Sequence, residues 1–193
     1  MPRSPRAFIV AGANGVGKTT LAGEFLKRFH VRFLNVDDIV RETSDGSNDR
    51  VSHIGAGRLF FRELEKEIRS HASFALESTL SGRYLVRIIR SIQEKEYKVS
   101  IIYFFVDTPE ISINRIKIRV EKGGHYVPDK DVIRRFFRSR KNFWLVYRNI
   151  ADNWSLWYNS EHKLVQAASG EKEDIKVKNE KLFHAFTKDM KDD

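Results

Sequence analysis

The chain has no cysteine among its 193 residues, so neither a disulfide framework nor a thiolate metal site is open to it. Its six histidines include no pair at zinc-ligand spacing, which leaves a hard cation held by oxygen donors as the remaining metal option. No apolar run is long enough to span a bilayer, and the one after the basic segment Met1–Arg6 is too short for the apolar part of a signal peptide. A cytoplasmic protein without membrane attachment is therefore expected. The chain also lacks an Asn-Lys-x-Asp guanine-reading tetrapeptide, which argues against a GTPase. There is no internal repeat or low-complexity segment, and the length suits one domain, 1–193, with a core of its own.

What is abundant is positive charge: 35 Lys and Arg against 26 Asp and Glu, a net charge of +9 that favours an anionic partner. Between Arg115 and Arg148 there are eleven basic residues and three acids, a local excess of 11 − 3 = +8. Nucleic acid is one explanation, since Phe136, Phe137, Phe143 and Trp144 interleave with the charges. Those aromatics, together with Ile133 and Tyr147, fit a core-facing helical stripe better, and nucleic acid is not the expected partner. Arg115 and Arg119 lie four apart and share a helix face, so both guanidinium groups can point at one anionic centre. Placed directly before Gly123-Gly124-His125, the pair reads as part of a mobile lid, whereas Lys117, Lys122 and Lys141 read as a solvated face.

The sharpest signal is Gly12-Ala13-Asn14-Gly15-Val16-Gly17-Lys18-Thr19, a full match to the phosphate-loop pattern G-x-x-x-x-G-K-[ST]. An apolar run, Ala7–Ala11, leads in as a buried strand and Thr20–Leu26 leads out as an amphipathic helix. Strand, loop and helix stand in the order that lets backbone N–H groups and a helix N-terminus surround a phosphate. Gly12, Asn14, Gly15, Val16, Gly17, Lys18, Thr19 and Thr20 are thus the candidate nucleotide-binding residues. Lys18 is suited to the β/γ oxygens and Thr19 to Mg²⁺.

Further strands alternate with helices. Val31–Asp38 is a strand ending in Asp37 and Asp38, which should face the phosphate-loop crevice or, for one of them, cap the next helix. Residues 43–53 are polar and loop-like, either folding over a substrate or connecting. Ala56–Ser70 has Leu59, Phe60, Leu64 and Ile68 at helical spacing. Ser73–Gly82 is a strand carrying Glu77, followed by a helix over 83–96 with Leu85, Ile88, Ile89 and Ile92 on one face. Val99–Asp107 is the most apolar strand, and Asp107 at its end reads equally as a Mg²⁺ carboxylate or as a helix cap. Trp154, Leu156, Trp157 and Tyr158 are expected to cap the core, Leu164–Ala168 to form an edge strand, and about 171–190 to form a C-terminal helix docked on the body. The alternation predicts an α/β fold, a mainly parallel sheet with helices on both faces.

These segments together resemble the zeta-toxin-type P-loop kinases, and among them the small stand-alone bacterial predicted ATPases. The likeness rests on Ala11–Thr20, Asn35–Ile39, Phe74–Gly82, Arg119–Pro128 and Asp152–Ser160, and so runs over most of the chain. It implies a kinase that uses ATP and Mg²⁺ to phosphorylate a sugar hydroxyl of UDP-N-acetylglucosamine or a related nucleotide-sugar. Asp37 would be the base, Glu77 and Thr79 would hold the sugar substrate, and Arg119 would bridge to the γ-phosphate. One departure is His125, which stands where the better-known toxins carry a second lid arginine. His125 would then face the substrate, with Arg115, Arg134 or Arg135 supplying the charge. The chain lacks the larger toxins' long C-terminal region and any fused antitoxin-like helical segment, which leaves toxicity itself open; a separate antitoxin protein is a partner the resemblance allows. Two other functions stay open: a metabolite or polynucleotide 5′-hydroxyl kinase on the same scaffold, and a non-catalytic ATP-dependent binding switch.

Overall fold

The computed structural model describes residues 4–27, 31–34, 50–160, 163–171, 174–188 and 190. The first strand, β1 (Arg6–Ala11), is buried from Ala7 onward because it lies inside a sheet covered on both faces, which is why it reads as a continuous apolar run. Helix α1 (Lys18–Lys27) follows the phosphate loop, and then come β2 (Arg32–Leu34), α2 (Arg50–Arg69), β3 (Phe74–Ser78), α3 (Leu85–Gln93) and β4 (Lys98–Phe105). Helices α4 (Pro109–Glu121) and α5 (Asp129–Asn142) lead through a π-helical turn, Phe143–Tyr147, into the short α6 (Arg148–Ile150). The chain closes with β5 (Asn153–Ser160), β6 (Lys163–Glu171), β7 (Asp174–Val177) and α7 (Glu180–Thr187).

The seven strands form one sheet in the order β2-β3-β1-β4-β5-β6-β7. The first five in that row are parallel, while β6 and β7 join antiparallel. Alternate residues of β1 divide between two cores: Ala7, Ile9 and Ala11 pack with α2, α3 and the π turn, and Phe8 and Val10 pack with the phosphate loop and Phe136. The predicted α/β class with helices on both faces is the fold. Phe60, Leu64 and Ile68 of α2 and Leu85, Ile89 and Ile92 of α3 are buried as their spacing predicts.

Four expectations are corrected. Residues 50–53, read as loop, are helical: α2 starts at Arg50, because its first turn carries no apolar stripe to announce it, while residues 43–49 lie outside the described residues. The 154–158 cluster is not a cap but the middle of β5, parallel to β4, with Trp154 and Leu156 on one face and Trp157 on the other; aromatics on both faces hide the alternation. Accordingly 164–168 belongs to β6, an interior strand flanked by β5 and β7. The C-terminal helix spans Glu180–Thr187 rather than 171–190; β7 precedes it, and the Asn179 side chain accepts from Leu182 N at 3.1 Å to start it.

The stripe on α5 is also shifted. Val132, Phe136, Ser139 and Arg140 are buried, whereas Ile133 and Phe137 are exposed. Two polar residues complete the buried face of α5, where apolar periodicity alone misplaces Ile133 and Phe137; Phe136, Phe143 and Tyr147 of the expected stripe are buried, and Trp144 packs against the core. Arg140, counted with the basic stretch, is in the core: its guanidinium lies 4.8 Å from the Phe186 ring and 5.3 Å from that of Phe136, and donates to Ala185 O and Phe186 O.

Candidate active site

In a parallel sheet, ligands collect beyond the carboxyl ends of the strands, and the phosphate loop leaves β1 at that edge. The loop is held by close contacts that only glycine permits. Gly15 has φ +78°, and a Cβ there would sit 2.4 Å from the Ser112 carbonyl of α4; Gly17 has φ +94°, and a Cβ there would sit 2.6 Å from Asn159 Nδ2. That Asn159 amide, at the end of β5, donates to Val16 O at 2.8 Å. The cradle is therefore braced from α4 on one side and β5 on the other.

Lys18 and Thr19 open α1. Lys18 is buried; its Nζ donates to Ala13 O at 3.0 Å and lies 3.5 Å from Glu77 Oε1. Thr19 Oγ1 donates to the other carboxylate oxygen, Glu77 Oε2, at 2.8 Å. Glu77 pairs in register with Val10, so adjacent strands deliver the carboxylate to the first turn of α1. A half-buried carboxylate with both a cation and a hydroxyl on it avoids the penalty of burying an unpaired charge.

The facing wall is α4 and the loop to α5. Helix α4 ends at a glycine with φ +81°, Gly123, whose N–H returns to Val120 O. Arg119 Nη2 donates to the backbone oxygen of His125 at 2.8 Å, and a small apolar cluster of Ile116, Val127 and Val132 ties the segment to α5. Between the walls lies a cavity of 980 Å³, at the upper end of the ~300–1,000 Å³ usual for small-molecule sites. Asn14, Gly15, Gly17, Lys18, Thr19, Thr20, Glu77, Thr79, Arg115, Arg119 and His125 all line it. Lys122, assigned above to a solvated face, lines it as well. Gly12 and Val16 do not: Gly12 N–H donates to Ser78 O, and the Val16 side chain is buried in the core. Asp37 and Asp38 lie outside the described residues.

Of the three arginines considered as replacements for a lid arginine, Arg115 and Arg135 line the cavity and Arg134 does not; it pairs with Asp131 at 2.9 Å. Arg135 Nη1 reaches Asn14 Oδ1 of the phosphate loop at 3.4 Å. Asp107 is away from the cavity, exposed, and accepts from the Tyr158 hydroxyl at 2.5 Å. It is not the cap of α4 either, since Thr108 occupies that position. No group of three or more His, Asp or Glu side chains is placed to hold a metal among the described residues. The Thr19 hydroxyl beside Glu77 offers instead the sparse oxygen set that suits Mg²⁺ shared with a nucleotide.

The model of the zeta toxin family matches residues 1–160. The chain belongs to the zeta toxin family. An uncharacterized protein of Haemophilus influenzae is 30% identical over 129 residues, covering 67% of this chain and 90% of its own length. Among solved structures, a chain of the AvrRxo1-ORF1:AvrRxo1-ORF2 complex with sulphate ions is similar with a TM-score of 0.71 at 24% identity. That match covers 95% of this chain, which spans only 64% of the AvrRxo1 chain. The PezAT toxin-antitoxin system of Streptococcus pneumoniae gives a TM-score of 0.62 at 15% identity over 96% of this chain and 79% of its own. At these identities the solved structures establish a shared fold.

Several residues that build this zeta-family site are given no individual role by the sequence, although Tyr126 and Asn159 lie in segments that carry the family resemblance. Asn159 and Ser112 brace the phosphate loop, and the exposed Tyr84 and Tyr126 line the cavity. The Asn159 signal was available only as a polar residue at the end of an apolar-aromatic segment, the same signal that marks Glu77. No helix among the described residues is long and apolar enough to cross a membrane.

Proposed function

We propose that the chain is an ATP-dependent phosphotransferase of zeta-toxin type, acting on a sugar hydroxyl of UDP-N-acetylglucosamine or a related nucleotide-sugar. The observation that carries this reading is one cavity lined together by phosphate-loop residues Asn14, Gly15, Gly17, Lys18 and Thr19, the Glu77–Thr79 strand end and the Arg115/Arg119 helix face. The phosphate loop and the arginine face suit a triphosphate, and the Glu77–Thr79 strand end beside them suits a second substrate.

In this reading the loop N–H groups and Lys18 hold the β- and γ-phosphates, and Thr19 holds Mg²⁺, which when bound neutralises charge on the phosphate oxygens. Arg115 and Arg119 face the transferred group, whose equatorial oxygens are matched by planar guanidinium forks. Glu77 and Thr79 orient the acceptor sugar with His125, and Tyr84 and Tyr126 offer aromatic faces to its rings. Asp37 follows three residues after β2, whose carboxyl end points to the same edge of the sheet, and is assigned as the base. It takes the acceptor hydroxyl's proton as the new P–O bond forms and the bond to ADP breaks. The likeness to PezAT supports a separate antitoxin protein as partner.

The test is incubation of purified protein with ATP, Mg²⁺ and a panel of nucleotide-sugars plus a 5′-hydroxyl oligonucleotide, followed by mass spectrometry. A phosphate-mass gain on UDP-N-acetylglucosamine or a relative is expected, and Asp37→Asn should abolish it while ATP still binds. Gain on the oligonucleotide alone, or undiminished transfer by Asp37→Asn, would overturn the acceptor or the base assignment respectively.

A further inference from the structure

The loop that follows β3 is held in an unusual way. Three side chains from one helical segment bind three of its four carbonyls: Ser139 Oγ donates to Thr79 O, Asn142 Nδ2 to Leu80 O at 2.8 Å, and Tyr147 OH to Gly82 O at 2.6 Å. Ser139 is in turn tied to the buried Tyr103 hydroxyl at 2.7 Å, which anchors the contact in the central strand β4. Within the loop, Leu80 is buried with φ +53°, a left-handed conformation that a leucine avoids unless its surroundings impose it.

The π turn explains how one helix reaches so far along the loop. On an α-helix, residues five apart diverge by about 140°. Asn142 and Tyr147 are five apart and yet both reach the loop. The wide turn, in which Arg148 N–H bonds to Phe143 O, brings such positions onto one side. The Tyr147 ring is fully buried and its hydroxyl is pushed up to about 12, chiefly by burial, so it stays a hydrogen-bond donor throughout the neutral range.

We infer that Ser139, Asn142 and Tyr147 are positioning residues for the acceptor: they clamp loop 79–82 so that Thr79 meets the second substrate in one fixed geometry, while Glu77 is held separately by Lys18 and Thr19. The inference rests on the reading of Glu77 and Thr79 as the acceptor side of the site. None of the three clamps the phosphate loop, so the acceptor should respond to their loss and the nucleotide should not.

The test uses the full chain carrying Tyr147→Phe, which removes one hydroxyl from a ring that stays in the core, and separately Asn142→Ala. Ile92→Val in α3 serves as a purely structural control. Calorimetric titration with UDP-N-acetylglucosamine and, separately, with a non-hydrolysable ATP analogue is combined with hydrogen exchange across residues 74–84. Each clamp variant is expected to weaken the nucleotide-sugar about tenfold, leave the ATP analogue within twofold, and speed exchange at 79–82 only. The control should move neither ratio nor local exchange. Equal weakening of both ligands, or no weakening of the nucleotide-sugar, overturns the clamp. If the wild-type protein does not bind the nucleotide-sugar, the acceptor assignment of the proposed function falls. The clamp is then decided by exchange: acceleration confined to 79–82 upholds it, and unchanged or molecule-wide exchange refutes it.

Discussion

Replacing Gly15 by alanine should separate phosphate-loop geometry from general stability. At φ +78° an L-residue is disfavoured by roughly 1–2 kcal/mol. The new Cβ would also stand 2.4 Å from Ser112 O, 2.9 Å from its Cα and 3.0 Å from its carbonyl carbon. All three are backbone atoms of α4, so no rotamer change relieves the clash, and overpacking of this kind costs about 1–3 kcal/mol. The total of roughly 2–5 kcal/mol corresponds to about a 30-fold to several-thousand-fold loss, shared between folding and nucleotide binding. A loop that shifts to make room keeps its stability and loses nucleotide affinity; a loop that does not shift loses stability. Urea unfolding and titration with a fluorescent ATP analogue measure the two parts. Gly15→Ala with an unchanged unfolding midpoint and nucleotide affinity within threefold of wild type would refute the reasoning. The control is Gly23→Ala on α1, where an added Cβ meets nothing within 4 Å; it should raise stability by ~0.5–1 kcal/mol without touching nucleotide affinity.

Arg140→Ala deletes two charge-assisted hydrogen bonds to the last turn of α7 and the contacts with the Phe136 and Phe186 rings, so urea unfolding should show a loss of about 3 kcal/mol or more; a loss below ~1 kcal/mol contradicts the buried-guanidinium account. Arg119→Ala should lower the phosphoryl-transfer rate by roughly 10³-fold with a much smaller effect on ATP affinity, measured by steady-state kinetics; an unchanged rate removes Arg119 from the chemistry. Burial raises the Asp152 carboxyl, but hydrogen bonds from Val99 N–H, Lys98 and Gln93 together hold it below the ordinary aspartate value. Because the folded state then binds fewer protons than the unfolded one, Asp152 adds stability above the unfolded value of about 3.9 and loses it as pH falls through the lower folded value. The stability gap between wild type and Asp152→Asn should therefore be full above pH ~5 and shrink below ~4, as followed by urea melts across pH; a gap independent of pH would show that the carboxylate is not the cause.

The sequence alone determined what depends on neighbours along the chain. The phosphate loop is eight consecutive residues, and its chemistry follows from their types. The burial of α3 follows from Leu85, Ile89 and Ile92 at helical spacing, and Glu77 is visible as a carboxylate within an otherwise apolar strand segment. Tertiary structure decided the partners. Asn159 on Val16, Arg135 on Asn14 and Ser139 on Thr79 join residues 143, 121 and 60 positions apart, and those pairings depend on the strand order and on the path of α5 past the strand ends. Ser139 and Arg140 shifted the apparent stripe of α5 for the same reason, since a polar side chain reads as surface until its buried partner is known. Periodicity is a local property of one element facing one environment, whereas hydrogen-bond satisfaction in a core is a relation between elements, and only the packed chain specifies it.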